Sequence, residues 1–171
     1  CERRVDFVAE PVEAPPEPYL PCITRDWERG ESQREIDWVA SIVARGGLAP
    51  ALRTLARRAA LPVEISVHAD RRLPERVEVA AYYVASEALT NASKHADASR
   101  VELDLHIDDA KLRLSIRDDG VGGADPSRGS GLIGLKDRVE ALGGTIEVES
   151  AHGRGTRVRV AIPVPAESST G

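Results

Sequence analysis

Hydrophobic and polar positions divide the chain into short periodic blocks. From Glu31 to Ala44, Ile36, Val39, Ile42 and Val43 recur at helical spacing, and beyond Gly46-Gly47 the run LAPALRTLARRAA resumes it with Leu48, Leu52 and Leu55. Two short helices are predicted there. LPVEISVH alternates Val63, Ile65 and Val67, which predicts a first strand, and Pro74 then sits at the expected first turn of a long helix ending near His95. Two strands follow, SRVELDLHID and KLRLSIRDD. Val101, Leu103, Leu105 and Ile107 share one face of the first, and Leu112, Leu114 and Ile116 one face of the second. Asp108-Asp109-Ala110 between them is short enough for a hairpin. Leu132, Leu135, Val139 and Leu142 predict a last helix stopped by Gly143-Gly144, and TIEVES and TRVRVAIPV supply two final strands. Hairpin-joined strands with helices that must share one face predict an α+β, two-layer α/β sandwich rather than a doubly wound parallel sheet.

A chain of 171 residues suffices for one ordinary domain plus tails. Prolines 11, 15, 16, 18 and 21 deny the leader helix and ladder hydrogen bonds. Residues 1–45 therefore read as a Pro-rich leader and short helix, a linker or arm; residues 46–164 as the folded domain; and residues 165–171 as a disordered tail. The net charge of −5 argues against a nucleic-acid groove, and the pairs Arg57-Arg58 and Arg71-Arg72 are too short to reverse that and are expected to be solvated. No apolar run approaches the roughly 20 residues that span a bilayer, and nothing at the start resembles a signal peptide, so a cytoplasmic location is expected. Cys1 and Cys22 lack a CxxC or CxxH companion and are assigned no role. The chain contains no methionine, which fits a chain trimmed at its start or a piece of something longer.

The candidate chemistry sits in RDDGVGGADPSRGSGLIGLKDRV, residues 117–139. Strand parity places Asp118 in phase with Leu112, Leu114 and Ile116, facing the buried layer, and Asp119 away from it. A carboxylate aimed at a core must be satisfied. An Asp before Gly commonly caps a turn, but Gly120, Gly122 and Gly123 follow at once and allow a flat ligand to press against main chain. Gly129, Gly131 and Gly134 run into a helix N-terminus, where free N–H groups favour a phosphate. This GxGxxG does not sit in a βαβ unit with an acid about 20 residues on, and no GxxxxGK[ST] occurs, so the dinucleotide and Walker readings fail. In SEALTNASKHA, Glu87, Asn91, Lys94 and His95 form one helical stripe continued by Ala80 and Val84. Such a stripe can be an exposed polar ladder, but its phase with apolar residues turns it toward whatever Asp118 faces. An amide oxygen and a carboxylate suit a Mg²⁺ that keeps several waters and bridges phosphates.

These residues resemble the ATP-binding catalytic domain of sensor histidine kinases, within the GHKL superfamily that includes DNA gyrase, large heat-shock ATPases and mismatch-repair proteins. The resemblance covers about residues 46–164. SEALTNASKHA looks like the N box, DDGVGG the first glycine box, GSGLIGLKDRVEALGG the second and GRGT the third. The phrasing is most similar to kinases that pair with NarL/FixJ-class response regulators; the short segment between Gly123 and Ser130 and the distance of Phe7 from it fit that branch. The resemblance implies the Bergerat ATP-binding fold, with a mixed, mostly antiparallel sheet and helices on one face. It implies that Asp118 accepts the adenine amino group, Gly120 and Gly122 line the base, and Asn91 holds Mg²⁺. Glu87 would position a metal-bound water or assist proton transfer, and Lys94 and His95 would reach the phosphates. The segment with Gly129, Ser130, Gly131, Leu132 and Gly134 would form the lid hinge and phosphate cradle, Leu132 and Leu135 serving as packing residues. Thr156, in phase with Val158 and Val160, would hydrogen-bond near Asp118 directly or through water.

The family transfers the γ-phosphoryl of ATP to a histidine on a helical dimerisation element. None of His68, His95, His106 or His152 is followed by an acid in a helical HD or HE context. The acceptor is therefore expected from a dimerisation domain elsewhere, the response regulator is an indirect partner, and no self-phosphorylation is expected from the chain alone. Two further readings share the fold: an anti-sigma-type serine kinase, and a binding module switched by nucleotide without transfer.

Overall fold

In the computed structural model, residues 32–69, 71–108, 110–124 and 130–164 are described, the side chains of residues 32–38, Ser130 and Leu132 excepted. The predicted proline-rich leader, its cysteines, Gly129 and the predicted tail lie outside the described residues. The elements run α1 (Ser32–Gly46), α2 (Leu48–Arg58), β1 (Val63–His68), α3 (Glu75–His95), β2 (Val101–Ile107), β3 (Lys111–Asp118), α4 (Ser130–Ala141), β4 (Thr145–Glu149) and β5 (Arg157–Pro163).

The five strands form one sheet in the order β1-β2-β3-β5-β4. Only β1 and β2, joined through α3, are parallel; the other neighbours are antiparallel. In the register, Val101 faces Asp118 and Leu105 faces Leu114 across β2 and β3, and Leu114 faces Val160 across β3 and β5. Alternation then sends Leu103, Leu105, Leu112, Leu114, Val158, Val160 and Ile162 into one buried layer and leaves charged residues on the other face. The α+β two-layer sandwich predicted from the sequence is the architecture observed.

Helix α3 is central. It buries residues around most of its circumference along Val77–Leu89, as a helix covered on all sides must. The sheet lies under it, while α1, α2 and α4 pack against it from the other directions. Val39 and Val43 of α1, within the span read as leader and short helix, belong to this same core. Pro74 does not occupy the first turn of α3 but precedes it, at φ −52° and ψ 132°, and its carbonyl accepts from the N–H groups of Val77 and Glu78. The chain leaves α4 through Gly143, at φ 71°, with Gly144 N–H returning to the Val139 carbonyl at 3.0 Å.

One expected surface arginine is structural. Arg72 is not simply solvated: its guanidinium grips the buried Glu78 through Nε to Oε1 and Nη2 to Oε2, both at 3.2 Å, and reaches the Val43 carbonyl at 2.9 Å. Leu73 N–H adds a third bond to Glu78 Oε1 at 3.0 Å. The C-terminus of α1 is thereby tied to the first turn of α3. Arg71 likewise donates to the Asp108 carbonyl in the β2–β3 turn at 3.1 Å.

Candidate functional site

The site forms where the last turn of α3 meets the end of β3. Ala96, just past α3, accepts the Val121 N–H on its carbonyl at 2.7 Å, and the backbone of Gly120 lies so close that a Cβ there would stand 2.2 Å from the same oxygen. Gly122, at φ 63°, is pressed in the same way against the Ala151 carbonyl. Part of the demand for bare backbone beside the acid thus comes from the chain itself: α3, the glycine loop and the β4–β5 turn converge with no room for side chains.

Asp118 faces inward as parity required and is 7% exposed. Its Oδ1 accepts two backbone N–H groups, from Gly120 at 2.9 Å and Thr156 at 3.1 Å. Among the described residues its Oδ2 accepts nothing, so one oxygen is anchored and the other is available. Asp119 points outward and closes a different loop, accepting Ser99 N–H at 2.8 Å, Ser99 Oγ–H at 2.6 Å and Arg100 N–H at 3.1 Å. Those bonds, the Ser99 hydroxyl foremost, hold its carboxyl down at about 2.

Thr156 reaches Asp118 through its backbone rather than its hydroxyl. It precedes β5, so the alternation of Val158 and Val160 does not extend to it, and its Oγ1 bonds Ser150 Oγ at 2.9 Å. Ser150 also accepts the Ala124 N–H at 2.9 Å, tying the end of the glycine loop to the β4–β5 turn. Ser150 was not singled out from the sequence. It follows Val148 by two residues, in phase with the half-buried Ile146 and Val148, and that alternation was the available signal.

The stripe on α3 runs from core to solvent. Ala80 and Val84 are buried, Glu87 is 3% exposed, Asn91 is half-buried, and Lys94 and His95 are exposed. Asn91 Nδ2 donates to Glu87 Oε1 at 3.3 Å, while Glu87 Oε2 is buried with no hydrogen-bond partner among the described residues. Burial pushes the Glu87 carboxyl above the ordinary glutamate value, against the opposing pull of Asn91, His95 and Lys94. A buried, partly orphaned acid beside an amide oxygen is equipped to hold and orient a polar ligand.

Gly131 and Gly134 lie within α4, whereas Gly129 and the side chains of Ser130 and Leu132 lie outside the described residues. A Cβ on Gly134 would meet nothing within 4 Å. Mid-helix glycine costs about 1 kcal/mol relative to alanine. Among the described residues no neighbour demands it, in contrast to Gly120. Among the described residues no group of three or more His, Cys, Asp or Glu side chains could hold a metal alone, and no helix is long and apolar enough to cross a membrane.

Comparison with known proteins agrees with this geometry. The chain is 41% identical over 124 residues to the signal transduction histidine-protein kinase/phosphatase UhpB of Salmonella typhimurium, covering 68% of this chain and 24% of that protein. It is 33% identical over 109 residues to the oxygen sensor histidine kinase NreB of Staphylococcus carnosus, covering 60% of this chain and 31% of that protein. The chain thus spans about a quarter to a third of the length of these relatives. Among solved structures, the histidine kinase domain of the Erythrobacter litoralis EL346 blue-light activated kinase superposes with a TM-score of 0.53 at 26% identity, covering 74% of this chain and 61% of that one. The profile of one family matches residues 76–166, more than half of the chain and the whole stretch from α3 to β5, and on that ground the chain belongs to the histidine kinase-, DNA gyrase B- and HSP90-like ATPases.

Proposed function

We propose that this domain binds Mg²⁺-ATP and transfers the γ-phosphoryl group to a histidine on a dimerisation helix of a two-component sensor kinase. The observation that carries the reading is the setting of Asp118: two backbone N–H groups fix Oδ1 and orient Oδ2 as an acceptor for the adenine amino group. Asn91 offers its amide oxygen to Mg²⁺, which would take its remaining ligands from phosphate and water and neutralise the charge developing on the phosphoryl oxygens. Glu87 Oε2, buried and without a partner among the described residues, fits a group that orients water on that cation or holds a proton. Lys94 and His95 extend from the same helix face toward the phosphates. Gly134, with open space beside it, fits the cradle assigned to the second glycine box together with Gly129, Ser130, Gly131 and Leu132. Gly120 and Gly122 bring main chain alongside the base edge that Asp118 addresses.

The relatives named as sensor histidine kinases support the transfer reading, and their likeness to this chain supports a NarL/FixJ-class response regulator as the downstream partner in a cytoplasmic phosphorelay. The proposed catalytic unit is residues 46–164. Incubation with labelled ATP, Mg²⁺ and a panel of purified dimerisation helices tests the proposal. Acid-labile, base-stable phosphate is expected on a helix histidine, and none on the chain alone, because none of His68, His95, His106 and His152 is followed by an acid in a helical HD or HE context. Acid-stable phosphoserine on a small partner would replace this reading with the anti-sigma type, and nucleotide binding without transfer to any helix would replace it with a switch.

A further inference from the structure

We propose that Arg117, Arg154 and Arg157 form a binding site for a phosphate-type oxyanion on the outer face of the sheet, separate from the nucleotide site. Arg117 neighbours Asp118 in sequence, and alternation sends the two side chains to opposite faces. Across the β3–β5 ladder Arg117 stands directly opposite Arg157. Like charges in that relation are destabilising, and guanidinium groups cannot relieve it by losing a proton.

The nearest carboxylates are engaged elsewhere: Glu102, the register partner of Arg117 on β2, pairs with Arg100, its Oε1 3.7 Å from Nη2. Glu149 is the register partner of Arg157 on β4, yet its Oε1 accepts Arg159 Nη1 at 2.8 Å. Arg113, two strand positions further along the same face, is satisfied by Asp108 at 3.2 Å. Among the described residues the side chains of Arg117, Arg154 and Arg157 have no ion pair or hydrogen bond, and Arg157 Nε is buried without a partner. The three arginines line an open cavity of about 220 Å³ together with Glu149, Ala151 and Gly155. On a chain of net charge −5 this is a concentrated positive spot. Its fork-shaped donors match a tetrahedral oxyanion, whose oxygens would satisfy Nε and screen Arg117 from Arg157.

Calorimetry of the full chain with inorganic phosphate, at constant ionic strength in chloride, tests this site. Saturable binding is expected, weakened at least tenfold in Arg117→Gln and in Arg157→Gln, and changed less than twofold in Arg113→Gln and Asn91→Ala. Arg117 is exposed, so its variant keeps the test decisive if Arg157→Gln fails to fold, as circular dichroism would reveal. Phenyl phosphate distinguishes the source: tighter binding of the monoester identifies a phosphoryl group carried on a larger molecule, and tighter binding of orthophosphate identifies the free anion. No saturable binding of either probe, equal binding by Arg117→Gln, or loss of binding in Asn91→Ala would each overturn the proposal.

Discussion

Asp118 and Thr156 are bound reciprocally through main chain: Asp118 N–H donates to the Thr156 carbonyl at 2.9 Å, and Thr156 N–H donates to Asp118 Oδ1 at 3.1 Å. The acid is therefore positioned by backbone that side-chain substitution leaves in place.

Asp118→Asn keeps an Oδ1 acceptor for those N–H groups but turns the free oxygen into a donor. ATP affinity should fall by roughly 1.5–3 kcal/mol, about ten- to a hundredfold, with the fold intact. Asp119→Asn should leave affinity within about threefold and lower stability instead, since it weakens the closure on Ser99 and Arg100. The Asp119 carboxyl is at about 2 in the fold against 3.8 ordinarily, so its stabilisation is present above about pH 4 and is lost as pH falls toward 2. Thermal scans of Asp119→Asn and the parent should converge in that acid window. Equal affinity losses for both variants, read by calorimetry, would sink the division of labour.

Asn91→Ala should abolish the Mg²⁺-dependent part of triphosphate affinity while adenosine binds nearly as before, because the amide addresses the cation and not the base. Titrations of adenosine and of a non-hydrolysable triphosphate, each with and without Mg²⁺, separate the two. A matching loss for adenosine would assign Asn91 a structural part.

Glu87 gives the opposite pH dependence to Asp119. Burial raises its folded value, so the protonated form is favoured in the fold and stability declines as pH rises from the ordinary 4.5 through the raised value. Glu87→Gln removes that decline. The variant should match the parent near pH 4 and exceed it in melting temperature at pH 8, measured without nucleotide, while phosphoryl transfer falls at least tenfold.

Arg72→Ala strands the buried Glu78 carboxylate with a single backbone donor. A loss of about 3 kcal/mol is expected in urea denaturation, at the low end for broken buried pairs because the Arg72 side chain is itself 55% exposed. Glu78→Gln, which keeps acceptor and shape, should cost less than half as much.

The parts of this molecule legible in its sequence are those governed by strict alternation. Val101–Ile107 and Lys111–Asp118 each keep a period of two, so the inward turn of Asp118 and the outward turn of Asp119 followed directly. Where alternation lapses, less was legible. Thr156 lies in the turn before β5 and bonds Asp118 directly, but through its backbone N–H, its hydroxyl going to Ser150. Arg72 could not be assigned because its partner Glu78 sits on the far side of a helix start, and only the packing of α1 on α3 brings the Val43 carbonyl to it. The candidate residues on α3 were visible for a further reason: a stripe that changes from alanine and valine to glutamate and asparagine marks where a helix leaves the core and reaches solvent.

The clamp of Arg72 on Glu78 makes α3 a lever. Its pivot is fixed to the end of α1, and Asn91 lies about 20 Å further along the helix at 1.5 Å per residue. A tilt of about 3° at that pivot carries Asn91 through about 1 Å, a displacement large enough to change a transfer rate about a hundredfold. Because α3 is packed by the sheet and by three helices, a shift of α1 would reach Asn91 only together with the core that surrounds α3.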